Sequence, residues 1–207
     1  DWHPRKHGFL FSSGLGMFPA DHSMFTEQEM TRLDRMKQYK KNGTAYLEIQ
    51  STRPQTLGYA LSDSPVGQLA WIIEKMQEWT DEDKQLPEEA IAIDQLLTNV
   101  SLYWFNRLGA STAEMLYENM SMAFAWGSAG DSEETQQWTP PKIPSAMAAF
   151  GKKEDESLLK KLTSLTGKPD QWTFYEKGGH FPAMEVPDLL VKDLRTFFSS
   201  VDAHSNG

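Results

Sequence analysis

The spacing of apolar residues along the chain changes from one region to the next. Gly8 to Ser13 is a short apolar run punctuated by glycine and serine, as in a buried strand, and Gly14 to Ser23 leaves it as a loop. From Thr26 the pattern turns helical. Thr26 and Glu29 stand in a capping-box arrangement, and polar and basic residues carry the helix to Lys41 before Asn42-Gly43 stops it. Ser64-Pro65 reads as a cap followed by proline at the first helical position, with Leu69, Ile72, Ile73 and Met76 on one face of the helix that follows. Asp81 to Glu89 is an acidic connector around Pro87. Ile93 to Leu108 predicts a second long helix, closed by Gly109, and Ser111 begins a third that ends near Trp126-Gly127. Gly130 to Pro141 is a polar loop.

The last third alternates. Ile143 to Phe150 reads as a strand, residues 157–166 as a short helix with Leu158, Leu159, Leu162 and Leu165 at helical spacing, and Gly167 as its end. Trp172 to Tyr175 is the next strand, and Val186 to Phe198 is an amphipathic helix. Strand, helix, strand, helix is the pattern of a parallel sheet covered by helices, whereas residues 15–140 are nearly all helical. The expected fold class is therefore α/β, with residues 1–14 a core strand segment, 15–140 a helical cap inserted between strands, and 141–207 a C-terminal core segment. An α-rich domain followed by a small α/β domain with no shared cleft is the other arrangement these elements allow.

Composition narrows the chemistry. A formal net charge of -9 over 207 residues, with the 20 Lys and Arg scattered, gives no basic stripe for phosphates and excludes nucleic acid as a partner. With zero cysteines there are no disulfides, cysteine nucleophiles or thiolate metal sites, which fits a reducing compartment. No apolar run reaches the roughly 20 residues of a membrane span, so the expectation is a soluble, cytoplasmic chain. The histidines other than His180 have no consistent carboxylate neighbour, and no metal or cofactor is expected.

One histidine stands apart. In Gly178-Gly179-His180-Phe181, two glycines follow the strand and let the backbone reach positive φ, which swings His180 clear of the sheet edge as a catalytic base requires. The same four residues also suit a buried histidine satisfied by a carbonyl.

Phe181-Pro182-Ala183-Met184-Glu185-Val186-Pro187-Asp188-Leu189-Leu190 follows that motif. Ile49-Gln50-Ser51-Thr52-Arg53-Pro54-Gln55-Thr56-Leu57-Gly58-Tyr59-Ala60-Leu61, Asp63-Ser64-Pro65-Val66-Gly67, Leu96-Leu97-Thr98-Asn99-Val100 and Tyr103-Trp104 precede it. In this order the stretches resemble the microsomal-type epoxide hydrolases of the α/β-hydrolase superfamily, over the later part of that family's chain. The resemblance implies a partial α/β-hydrolase fold with the N-terminal half of the fold missing. It also implies hydration of an apolar epoxide to a vicinal diol through an ester on an aspartate. His180 would be the base and Tyr46, in the pattern Tyr-x-x-Ile-Gln, the first of two cap tyrosines that donate to the opening oxygen.

Three positions depart from the family pattern. Its nucleophile lies in a Gly-Gly-Asp-Trp-Gly elbow, whereas here Asp1-Trp2 abuts His3-Pro4 with no strand before it, so Asp1 is not expected to be a working nucleophile. The orienting acid falls on Lys153, and a shift of one residue supplies Glu154 or of two supplies Asp155. Glu154 is the assigned acid. The second cap tyrosine falls on Leu116, with Tyr117 next to it. Tyr117, Trp104 and Phe181 are the substrate-binding candidates, although Tyr103-Trp104-Phe105 also reads as core. The expected partners are a small apolar epoxide and a complementary N-terminal half or a second copy. A non-catalytic ligand- or partner-binding chain, and a hydrolase of another type such as an esterase, are the alternative functions.

Overall fold

The computed structural model describes residues 22–129, 143–166 and 168–205. The expected strand at Gly8 to Ser13, the dipeptide Asp1-Trp2, the whole Gly130 to Pro141 loop and Gly167 lie outside them. The chain divides into two compact units. One comprises Asp1–Gln38, Met76–Ile91 and Pro141–Gly207, and the other Tyr39–Lys75 and Ala92–Pro140.

The first unit holds the sheet. Strands β1 (Ala146–Phe150) and β2 (Gln171–Tyr175) are parallel, in register from Ala146 opposite Gln171 to Phe150 opposite Tyr175, with α7 (Glu156–Thr166) connecting them. The strand expected from Ile143 begins only at Ala146. Ser145 is instead tied across the strand ends, its N–H donating to Asp170 Oδ2 at 2.9 Å and its carbonyl accepting the Asp170 N–H at 2.9 Å. The long helix α9 (Pro187–Ser205) packs on both strands, and the Tyr175 hydroxyl donates to the buried Asp193 on that helix at 3.1 Å. The sequence therefore foretold the strand–helix–strand–helix order of this region.

Helix α1 (Glu27–Asn42) begins as its capping box requires. The Thr26 N–H donates to Glu29 Oε2 at 2.8 Å, and the Glu29 N–H donates to Thr26 Oγ1 at 3.3 Å. Leu33 of α1 and Leu158 of α7 are fully buried together with Phe25. At roughly 2 kcal/mol for each such side chain, this contact holds α1 on α7. Glu29 extends the junction. It is buried, yet its carboxylate accepts from Lys161 Nζ at 2.6 Å and Ser157 Oγ at 2.8 Å, both on α7.

The second unit is helical. Helices α2 (Ala45–Thr52) and α3 (Pro54–Asp63) pack on α6 (Gly109–Ala129), and α4 (Pro65–Trp79) enters through Trp71 beside the buried Leu57, Leu61 and Ala113. Ser64 caps α4 as expected, its Oγ accepting the Gly67 N–H at 3.0 Å. Helix α5 (Ile93–Phe105) is shorter than its apolar pattern predicts. It breaks at Asn106 and Arg107, where Arg107 takes φ 56°, and Gly109 opens α6 instead of closing α5. Gly109 is there for space: a Cβ would lie 2.8 Å from Leu61 Cβ. Among the described residues, no helix is long and apolar enough to cross a membrane.

Candidate active site

Strand β2 delivers the chain to His180 through Glu176-Lys177-Gly178-Gly179, and the two glycines serve different purposes. Gly178 has φ +87°, a left-handed value that side chains disfavour, and a Cβ there would also meet Val186 Cγ2 at 2.7 Å. Gly179 does not have positive φ. It lies against the end of α4, where a Cβ would fall 2.6 Å from both the Thr80 carbonyl carbon and Trp79 O. The expected positive φ thus holds for the first glycine, and close approach of backbones explains the second.

That approach fixes His180. Its backbone N–H donates to Trp79 O at 2.8 Å, while its ring stands edge-on to Trp79 at 5.2 Å between centroids and to Phe181 at 4.9 Å. The imidazole is half-buried, and burial holds its pKa below the ordinary value of 6.5. A group shifted this way is neutral at pH 7, which is the protonation state that a base requires.

The acid candidates occupy a single 3-10 turn, Lys153–Asp155, between β1 and α7. Lys153 is exposed, ion-paired with Glu156, and its Nζ lies 5.8 Å above the Phe174 ring. Glu154 is exposed. Asp155 is only 2% exposed, and its Oδ2 accepts from Arg32 Nη2 at 2.7 Å, the same nitrogen donating to Glu82 Oε1 at 2.6 Å. Burial raises the Asp155 pKa above its ordinary value, the Arg32 charge offsetting this in part. Asp155, Arg32, Gly178 and Gly179 all line one cavity of about 30 Å³ behind the His180 loop. Asp155 is therefore the carboxylate of this turn that shares a cavity with that loop.

Two neighbours of His180 were not singled out from the sequence. Trp79, which receives its N–H and touches its ring, is the last residue of α4, and nothing in the local sequence marks it. Glu185 closes the short helix α8 (Pro182–Glu185) and accepts the Phe181 N–H at 2.9 Å. Its spacing of four from Phe181 was the available signal.

Of the remaining candidates, Tyr46, Tyr117 and Trp104 lie in the second unit. Tyr46 sits in the first turn of α2, half-buried, with Lys75 Nζ 5.0 Å from its ring centroid. Tyr117 is 37% exposed on α6, the helix on which α2 packs, so the elements carrying Tyr46 and Tyr117 are in contact. Trp104 is half-buried in the last turn of α5. Phe181 is brought directly to His180, as described above.

Comparison with known proteins gives one consistent result. A protein of Stigmatella aurantiaca that carries the epoxide hydrolase name is 35% identical over 85% of this chain and 37% of its own length. Epoxide hydrolase 1 of Sus scrofa is 32% identical over 77% of this chain and 35% of its own length. The solved epoxide hydrolase of Aspergillus niger superposes with a TM-score of 0.62 at 29% identity, covering 88% of this chain and 43% of that one. The chain therefore spans roughly two fifths of the relatives it matches. No family model matches it.

Proposed function

The chain belongs to the epoxide hydrolase family of the α/β-hydrolase superfamily, and on that premise we propose that it supplies the water-activating base and a ring-opening donor for hydration of an apolar epoxide to a vicinal diol. In this reading Tyr46 donates its O–H to the epoxide oxygen as the ring opens, where a phenol stabilises the developing alkoxide more than the uncharged epoxide. The attacking carboxylate is assigned to the family's Gly-Gly-Asp-Trp-Gly elbow, a motif that this sequence does not contain. His180 then takes a proton from water as that water attacks the resulting ester, and the ester is cleaved to diol and free carboxylate. Tyr117, Trp104 and Phe181 are the apolar contacts assigned to the substrate, and residues 15–140 are assigned the role of cap.

The observation that carries this reading is the half-buried imidazole of His180, kept neutral by burial and held at the end of β2 by a loop of two glycines. Glu154 was the assigned orienting acid. The burial of Asp155 and the cavity it shares with Gly178 and Gly179 favour Asp155 in that role.

A second reading, a chain that binds a ligand or partner without turnover, is favoured by Lys153, which stands where the resemblance puts the acid and is engaged by Glu156. Product analysis separates the two. The chain would be combined with the part of the Aspergillus niger enzyme that it does not match and offered an epoxide and a carboxylic ester. The proposal expects diol from the epoxide, lost on His180→Gln. Acid release from the ester alone would indicate an esterase, and no product from either would favour the binding reading.

A further inference from the structure

The loop that carries His180 is braced by a carboxylate. Glu185 accepts the Asp81 N–H on Oε2 at 2.7 Å and the Phe181 N–H on Oε1 at 2.9 Å. The Gly179 N–H also bonds this carboxylate. Asp81 returns the contact, its Oδ2 accepting the Gly178 N–H at 2.9 Å, and the His180 N–H closes the set on Trp79 O. Residues 79–81 and 178–181 are thus cross-linked through donors on both backbones. Gly179 lies so close to Thr80 that even a Cβ would collide, so the bonds join two segments already in contact.

We propose that Glu185 is a positioning residue for His180, holding the backbone of the Gly178–Phe181 loop against the end of α4 and so fixing the edge-on orientation of the imidazole to Trp79. The proposal rests on reading His180 as the base. A base must be held within tenths of an ångström and some tens of degrees of its productive geometry, and a loop of two glycines is intrinsically free to wander. Glu185 removes that freedom by accepting the Asp81 N–H on one carboxylate oxygen and the Phe181 N–H on the other, which ties the two segments together. Burial raises the pKa of this carboxyl above its ordinary value, and the N–H groups of Asp81, Phe181 and Gly179 offset this in part. Pro182 opens α8 and Pro187 opens α9, so the carboxylate closes one proline-started helix two residues before the next.

Amide exchange and imidazole titration by NMR test this on the whole 207-residue chain. Wild type would be compared with Glu185→Gln, Glu185→Ala and, as a control at an exposed neighbouring carboxylate, Asp188→Asn. Glutamine offers one acceptor oxygen in place of two, and alanine none. Exchange at Asp81, Gly179 and Phe181 should therefore rise about tenfold with glutamine and further with alanine. Amides of β1 and α7 should stay at wild-type rates, Asp188→Asn should change nothing, and the His180 pKa should climb toward its ordinary value as the ring gains water. An exchange increase shared equally by β1 and α7, or a His180 titration identical in every variant, overturns the proposal. Should the alanine variant fail to fold, the glutamine variant decides alone. Undiminished turnover by His180→Gln would overturn the base reading while leaving the exchange result in place, so the two failures are distinguishable.

Discussion

Tyr46 and His180 are assigned to successive steps, so removing each should stall the reaction at a different point. Tyr46→Phe deletes one donor to the developing alkoxide. In the active combination it should slow ring opening by about 3 kcal/mol, on the order of a hundredfold, with little effect on the ester step; single-turnover kinetics would register the difference. The adjacent carboxylates Glu154 and Asp155 should part in a stability measurement. Asp155→Asn leaves the buried Arg32 guanidinium with Glu82 alone and should cost about 2–3 kcal/mol in urea unfolding. Glu154→Gln, on an exposed side chain, should stay within about 0.5 kcal/mol. Equal effects would mean that the burial difference between them has no energetic weight. The sequence carried His180 clearly, because two glycines before a histidine and a helix after it form a local signal. It could not separate Glu154 from Asp155, because only the fold of the 3-10 turn decides which neighbour points inward. Glu185 was marked only by its spacing of four from Phe181, and Trp79 by nothing local, because its carbonyl and ring reach His180 through the fold.

At the scale of elements, the capping box at Thr26 and Glu29 was legible and is present. What its residues do next was not. Glu29 is buried against α7, where burial alone would raise its pKa. The Lys161 ammonium, the Thr26 N–H and the Ser157 hydroxyl outweigh that and bring it to about 2, from 4.5 when free. The folded pKa lies below the unfolded one. The link therefore contributes its full stability above pH 4.5 and loses it as the pH falls through about 2. The contribution is on the order of 3 kcal/mol. Comparing wild type with Glu29→Gln by denaturant unfolding should show a gap at pH 7 that shrinks steadily below pH 4.5. A gap independent of pH would dissociate the stability from the carboxylate charge. Gly109 illustrates the opposite limit of legibility. A glycine after an apolar helical run reads as a stop, but the close approach of Leu61 makes it a packing residue at the start of the next helix.

Across the whole molecule, the strand and helix order of residues 143–205 could be read from periodicity, as could the helical character of residues 27–129, since both rest on local spacing. An inserted helical block was expected, but that residues 76–91 belong to the unit with the sheet was not legible, because it depends on contacts between residues far apart in sequence. Among the described residues the parallel sheet has two strands, and a two-stranded sheet is marginal by itself in water. Together with the exposed Val191, Leu194 and Phe198 on α9, it should drive association with a second copy or with a complementary segment. Light scattering at micromolar concentration should therefore report more than a monomer mass for the isolated chain, and a strictly monomeric mass would count against this. The central claim is that His180 activates water in an epoxide-hydrating site. Its most direct test is the intact mass of the chain combined with the unmatched part of the Aspergillus niger enzyme, quenched after mixing with an epoxide. With His180→Gln the mass of the polypeptide that carries the nucleophile should rise by that of the epoxide and stay there, because the ester forms but is not hydrolysed. Absence of any adduct with His180→Gln, alongside a persistent adduct with Tyr46→Phe, would contradict the assignment.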